Sequence, residues 1–199
     1  MANHIATLYN SFKQYNNAAS WFLKKIELSK QPNVNDYMAV GNAYYNCKMY
    51  DQAIEAITKV IEIDSLYIKG YYMLANTCSA KDPDSKIGLA KPKYELLIEK
   101  AMVDTVKNVE ELCVAYSYLG SYYLLIDKDY DLSSTFFNKM ILLEPKNNAT
   151  ILKAYTSLAY INSIKKDYSK VKSYYSEILK IDPKNEDAKR NMEYLINLK

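Results

Sequence analysis

The chain has 199 residues, a formal charge of +3, 49% hydrophobic and 25% charged residues. That balance belongs to a folded protein rather than a disordered one, and 4 Gly with 5 Pro are too few for a many-turned β architecture. Arg190 is the only arginine, and the lysines alternate with carboxylates. There is no concentrated basic stripe and no set of bidentate cations, so a nucleic-acid partner is not expected.

Other classes fall away on residue type. Cys47, Cys78 and Cys113 are an odd number without close spacing, hence no disulfide framework. Cys47 is read in a turn, Cys78 on a core face and Cys113 before a helix, so they share no metal site and act as small buried hydrophobes. His4 is the only histidine, which removes His-based triads and metal clusters. Gly41, Gly70, Gly88 and Gly120 are isolated and form no phosphate loop. The carboxylate pairs Asp129/Asp131 and Glu110/Glu111 fall in turns or at helix starts, where they read as caps and solvated charge. Met1 to Asn10 has no apolar block of signal-peptide type. The longest uncharged run, Leu112 to Ile126, is shorter than a membrane span and is broken by Ser117 and Ser121.

The periodicity predicts paired helices along the whole chain. Ile5, Ala6 and Tyr9 begin one helix, and Tyr15, Ala18 and Phe22 a second. The first starts at or near Met1 without a preceding polar cap, which predicts a chain that begins inside a longer array. Gln31-Pro32-Asn33 ends the second helix. Tyr37, Val40, Gly41 and Tyr44 then lie on one helical face, and Ala53, Ile57 and Val60 on another, with the break Asn46 to Met49 between them. Gly41 and Ala53 are small, so these two helices can approach closely.

Tyr71, Leu74, Ala75 and Cys78 repeat the first face, each 34 residues after its counterpart. A longer connection through Asp82 and Pro83 leads to a helix marked by Tyr94, Ile98 and Ala101, with Pro92 in its first turn. Tyr116, Leu119, Gly120 and Tyr123, then Tyr130, Ser133, Phe137 and Met140, make a fourth pair with one extra turn residue. Tyr155, Leu158, Ala159 and Asn162, then Tyr168, Val171, Tyr175 and Ile178, make a fifth. Asn162 stands where other pairs carry Tyr or Cys. Ala188, Met192, Leu195 and Ile196 mark a final helix over 185–199, with acidic residues in its first turn.

These spacings and residue types resemble the tetratricopeptide repeat, whose pattern places an aromatic, a Leu-Gly pair, a Tyr, then Ala, Phe and a closing Pro over about 34 residues. Repeats at about 1–33, 34–67, 68–108 (with an insertion), 112–147 and 152–184, plus a capping helix at 185–199, would make one domain. The resemblance implies an all-α fold, a right-handed α-solenoid of paired antiparallel helices whose first helices (helix A of each repeat) line a concave face. The 21 Tyr then fill mainly repeat core positions. Lys-Pro-Lys-Tyr-Glu at 91–95 and Ala-Tyr-Ser-Tyr-Leu-Gly at 115–120 further resemble tetratricopeptide proteins of Bacteroidetes-type bacteria, and the Lys-, Asn- and Tyr-rich composition fits a low-GC genome.

The resemblance implies a non-enzymatic protein-interaction scaffold, without cofactor or metal, that holds a peptide or helix of a partner in the concave groove. Its groove positions are Asn42, Tyr45, Tyr72, Asn76, Ser117, Ser121 and Tyr160. Asn42 and Asn76 occupy the same place in successive repeats, and an amide row can pair with a peptide backbone whatever its sequence. Tyrosines beside them supply flat contact area at low entropic cost. Chaperone-tail recognition is disfavoured, because Met38 and Tyr72 stand where its first lysine belongs. The alternative is a structural or self-assembling segment of a longer multi-repeat protein, possible as a homo-oligomer. Location follows from completeness: cytoplasmic for a whole chain, periplasmic or envelope-bound for a piece of an exported one.

Overall fold

The computed structural model describes residues 1–197. Among them are eleven α-helices and no strand. The chain divides into two compact halves, Met1–Val103 and Asp104–Lys199. The first holds α1 (Ala2–Ser11), α2 (Tyr15–Leu28), α3 (Val34–Asn46), α4 (Tyr50–Ile63), α5 (Ile68–Lys81) and α6 (Lys91–Ala101). The second holds α7 (Val109–Leu125), α8 (Tyr130–Leu142), α9 (Asn148–Ile164), α10 (Tyr168–Ile181) and α11 (Glu186–Asn197). Within each half every helix packs on its sequence neighbours. The fold class is all-α, built of consecutive helix pairs as in an α-solenoid.

The pairs close through small residues. A Cβ added at Gly41 on α3 would sit 2.7 Å from Ile57 Cγ1 on α4. One added at Gly120 on α7 would sit 2.9 Å from the Phe137 ring on α8. Gly41 therefore meets Ile57, one turn beyond the Ala53 expected from the sequence; Ala53 offers only its carbonyl oxygen, at 3.7 Å. Ile57 and Phe137 are fully buried, so neither can swing aside. Ser133 takes the place of Ala53 in the α7–α8 pair, and its buried hydroxyl donates to the Gly120 carbonyl at 2.7 Å.

Three of the five pairs share one turn. In three pairs the residue before the second helix's Tyr returns its N–H across the helix end at 2.9 Å: Gln14 to Tyr9 O, Met49 to Tyr44 O and Asp167 to Asn162 O. That six-to-one bond is the Schellman closure, which needs a left-handed residue just before the donor. Lysines supply it: Lys13, Lys48 and Lys166 have φ of 57°, 62° and 59°. Lys128 has φ 55° in the α7–α8 turn, where the extra residue changes the bonding.

Connections between pairs depend on side chains. Asn33 caps α3 reciprocally: its Oδ1 accepts from the N–H groups of Asn35 and Asp36, and Asp36 Oδ2 accepts from the Asn33 N–H. Helix α2 stops at Leu28, ahead of Pro32, so Pro32 leads into this cap rather than breaking a helix. The long connection after α5 is organised by buried Asp82, whose Oδ2 accepts from the N–H groups of Ile87, Gly88 and Leu89. In α6, Leu97 is fully buried beside Tyr94 and Ala101, while Ile98 is only half-buried. Helix α7 begins at Val109, so Cys113 lies inside it rather than before it.

At the C-terminal end Ala188 and Leu195 are buried, Leu195 in a cluster with Ala159 and Val171. Ile196, expected on the same stripe, is 69% exposed, because its position in α11 turns it off that face. Leu198 and Lys199 of the expected tail helix lie outside the described residues.

Two stability predictions follow from this geometry. Gly41→Leu should overpack the α3–α4 contact and cost about 1–3 kcal/mol in urea unfolding; an unchanged midpoint would remove Gly41 from the contact. Lys48→Gly should raise stability by up to about 1 kcal/mol, since relief of the left-handed strain exceeds the added chain entropy. A lower melting temperature for Lys48→Gly would contradict that balance.

Candidate functional site

Helix faces that the core does not use are free to carry function. On α3 these include exposed Asn42 and half-buried Tyr45, whose ring centroid lies 6.0 Å from that of Tyr50. Asn42 makes no hydrogen bond of its own among the described residues. On α5 they are Tyr72 and Asn76, both half-buried. The two asparagines share a repeat position but not an environment. Asn76 Oδ1 accepts from the Tyr94 hydroxyl at 2.6 Å, so one of the two lone pairs of its oxygen is already engaged. The sequence could not show this, because Tyr94 lies beyond the insertion and its register with α5 depends on the Asp82 loop.

In the second half, Ser117 and Ser121 are half-buried on α7, and Tyr160 on α9 is 54% exposed. The serines sit on a helix whose other side chains form an aromatic group that sequence reasoning passed over. Tyr123 stacks on Phe136 at 5.6 Å and 4°, Tyr118 on Tyr122 at 6.3 Å, and Tyr122 meets Tyr123 edge-on at 5.8 Å. The Lys139 ammonium lies 5.5 Å from the Phe136 centroid and 5.8 Å from that of Tyr116, within cation–π range. The signal was present as Tyr118 and Tyr122, four apart on one helix face.

The seven groove positions are asparagine, serine and tyrosine, so their chemistry is amide, hydroxyl and ring. The ionised groups pair elsewhere. Lys81 on α5 bridges to Asp51 at the start of α4, and Lys165 on α9 bridges to Asp131 at the start of α8. These are the same link in two places: the end of a first helix to the start of the preceding second helix. Asp129 caps α8 through the Leu132 N–H, as its position suggested. Buried Asp36 pairs with Lys25 on α2. Desolvation pushes the Asp36 carboxyl upward, but the Lys25 ammonium and the Asn33 N–H outweigh it and hold it below its usual range. Burial pushes the thiols of Cys47, Cys78 and Cys113 up, Cys113 to about 11 with help from Glu110. They stay protonated at neutral pH and are poor nucleophiles and ligands. Among the described residues no three His, Cys, Asp or Glu gather as a metal site, and no helix is long and apolar enough to cross a membrane.

A fold of stacked helix pairs with a recurring turn defines a helical-repeat protein. More particularly, residues 37–65 and 152–185 match the tetratricopeptide repeat family, and the chain carries tetratricopeptide repeats at those places. Such repeats generally mediate protein–protein interaction and are generally non-catalytic. Among solved structures, the C-terminal part of a tetratricopeptide repeat-containing protein from Cytophaga hutchinsonii is 29% identical, with a TM-score of 0.69 over 76% of this chain. The chain spans 58% of that one. MamA shares the fold at 20% identity and a TM-score of 0.69, covering 90% of this chain and 95% of its own. A thermophilic tetratricopeptide protein of Thermus thermophilus shares it at 14% and 0.51, covering 98% and 97%. No functionally curated protein matches the chain significantly.

The Asp36 environment predicts a pH signature. A carboxyl whose folded pKa is depressed contributes stability that is present above its unfolded value of about 3.9 and lost as pH falls through the folded value. Asp36→Asn should therefore be clearly less stable than the parent at pH 7, with the gap narrowing toward pH 2.5 in urea titrations. A gap independent of pH would remove the ion pair from the account. Separately, Asn76→Ala should cost about 1 kcal/mol because it removes the hydrogen bond from the Tyr94 hydroxyl, while Asn42→Ala should fall within about 0.5 kcal/mol of the parent. Equal effects would place the two asparagines in one environment.

Proposed function

We propose that the chain is a non-enzymatic scaffold that binds an extended peptide or a helix of a protein partner. The binding face is that of the first helices of its pairs. Asn42, Tyr45, Tyr72 and Asn76 carry it in the N-terminal half, and Ser117, Ser121 and Tyr160 in the C-terminal half. The observation that carries this reading is the surface of α3, where an unengaged Asn42 amide lies one turn from the half-exposed Tyr45 ring. An amide can donate and accept along a backbone, and a ring beside it covers apolar side chains of the bound segment. Since none of these side chains is charged, binding would depend weakly on salt.

Self-association is the second reading, and one feature of α1 favours it. Leu8 and Phe12 are 51% and 68% exposed, while Ala43, the residue of α3 at the repeat position of Leu8, is fully buried against its neighbours.

The two readings separate in one experiment. The chain, an Asn42→Ala/Tyr45→Ala variant and a Leu8→Glu/Phe12→Glu variant would each capture protein from source-cell lysate at 150 and 500 mM salt. Asn42 and Tyr45 are chosen over Asn76 because their truncation does not remove the Asn76–Tyr94 hydrogen bond. The expected result is a partner retained at both salt concentrations and lost, at least tenfold, only with Asn42→Ala/Tyr45→Ala. Retention by that variant would refute the groove reading, and loss of self-capture with Leu8→Glu/Phe12→Glu would support the second.

A further inference from the structure

Asn162 stands where three of the sister pairs carry a tyrosine, Tyr9, Tyr44 and Tyr123, and one a cysteine, Cys78, and a cleft lies beside it. Tyr9 and Tyr44 occupy the equivalent position on α1 and α3, and both pack against the alanine-rich core of the N-terminal half. In the α9–α10 pair the ring is absent, whereas α7 keeps it as Tyr123. An open cleft of about 460 Å3 lies between the start of α8, the end of α9 and the start of α10. Asp131, Ser134, Asn138, Asn162, Lys165 and Tyr174 are among its lining residues.

The floor of this cleft offers an acceptor that meets only solvent. Asn162 is only 6% exposed. Its Nδ2 donates to the Leu158 carbonyl at 2.8 Å, which fixes the amide orientation, because the oxygen could not serve there. The Oδ1 has no hydrogen-bond partner among the described residues and is not sealed from solvent, so it is reached from the cleft. One wall is the Tyr174 ring, which leans toward Tyr155 with centroids 6.1 Å apart. The charged lining is internally balanced. Asp131 pairs with Lys165, and Asp167 with Lys170.

From this we infer that the cleft is an anchor site for a tyrosine side chain of a protein partner. A phenol ring restores, from outside, the group that three of the sister pairs carry on their own helix. Its O–H donates to Asn162 Oδ1, and its face lies along Tyr174. An acceptor-bearing site built this way rejects a ligand lacking the donor, because the buried oxygen would stay unpaired. A cationic side chain is disfavoured, since the two carboxylates already have ammonium partners and no surplus negative charge repays its desolvation. The cleft shares no residue with the groove proposed above, so the two stand or fall separately.

The test uses 15N-labelled full chain and two capped tripeptides, acetyl-Gly-Tyr-Gly-amide and acetyl-Gly-Phe-Gly-amide, followed by amide chemical shifts. The Tyr peptide should shift Asn162, Lys165 and Tyr174 saturably, with the Phe peptide about tenfold weaker, the ratio that one hydrogen bond of about 1.4 kcal/mol supplies. Asn162→Leu, close in size but without the acceptor, should bring the Tyr peptide down to the Phe level. Asn162→Tyr should fill the cleft from within, abolish both responses and raise the melting temperature. No saturable shift at these residues, equal response to the two peptides, or an undiminished response in Asn162→Tyr would each overturn the assignment. Should Asn162→Tyr fail to fold, the Asn162→Leu comparison decides alone.

Discussion

The close approach of two helices at a residue without a side chain is the constraint on which the rest of each half depends. No helix here is apolar enough to stand alone, and an amphipathic helix of this length draws its stability from what covers it. At Gly41 and Gly120 the covering helix comes so near that its Ile57 or Phe137 fills the space of a missing Cβ. That contact sets the depth of the pair. The depth in turn determines which residues the next pair meets, and hence that Ala43 and Ile161 are fully buried at one repeat position. Stability in such an array is close to a sum of pair and neighbour terms. A defect at one glycine is therefore felt by its own pair and the two beside it, with little reach further along the chain.

Electrostatics work around this packing rather than within it. The bridges Lys81–Asp51 and Lys165–Asp131 join the same two helix ends in separate halves, with the aspartates exposed. Exposed pairs of this kind contribute little free energy. Their recurrence is better understood as register: each ties the end of one helix to the start of the helix it packs on. Asp36 differs because it is buried, caps its own helix and meets Lys25 from the preceding pair. It is the one described carboxylate where capping, burial and an ion pair coincide, so it alone couples the joint between pairs strongly to pH.

The helix pairs were legible in the sequence because their signal is a spacing repeated many times, and periodic burial leaves that trace directly. Cys78 and Leu158 landed on core faces as their offsets require, and both are buried. What could not be read were features decided by one side chain acting over an irregular path. Asp82 gathers three backbone N–H groups from a loop with no period. Asn76 shares its carbonyl with Tyr94 because that loop sets where α6 begins. The left-handed lysines were invisible for another reason: a glycine would have announced the conformation, whereas lysine adopts it under constraint from the Schellman bonds and carries no compositional mark. Ile196 was misplaced because it sits at the margin of the apolar stripe, where helical rotation carries it off the face that buries Leu195. Groove positions such as Asn42 and Tyr160 could be located on their helices, but their ligand could not, since exposure and polarity define a surface without naming what it meets.

In a repeat architecture the informative residues are those that depart from the repeat. A tyrosine at the position of Tyr9 and Tyr44 is accounted for by packing, and nothing further follows from it. An asparagine there is not accounted for. It forfeits the burial of a ring, and an aromatic side chain is the largest apolar contribution a core position can make. It also gives up a packed group for an amide whose oxygen has no partner within the described residues and meets only solvent. Both losses are recovered if a phenol enters from another molecule, because the ring and the donor arrive together. Leu8 fails the same comparison in the opposite sense, being apolar and exposed where its counterpart Ala43 is covered. It identifies a face without an acceptor or a shaped cavity, so it constrains its occupant far less than Asn162 does. Specificity in a scaffold of this kind resides where a core position has given up its own side chain, and the open faces contribute area.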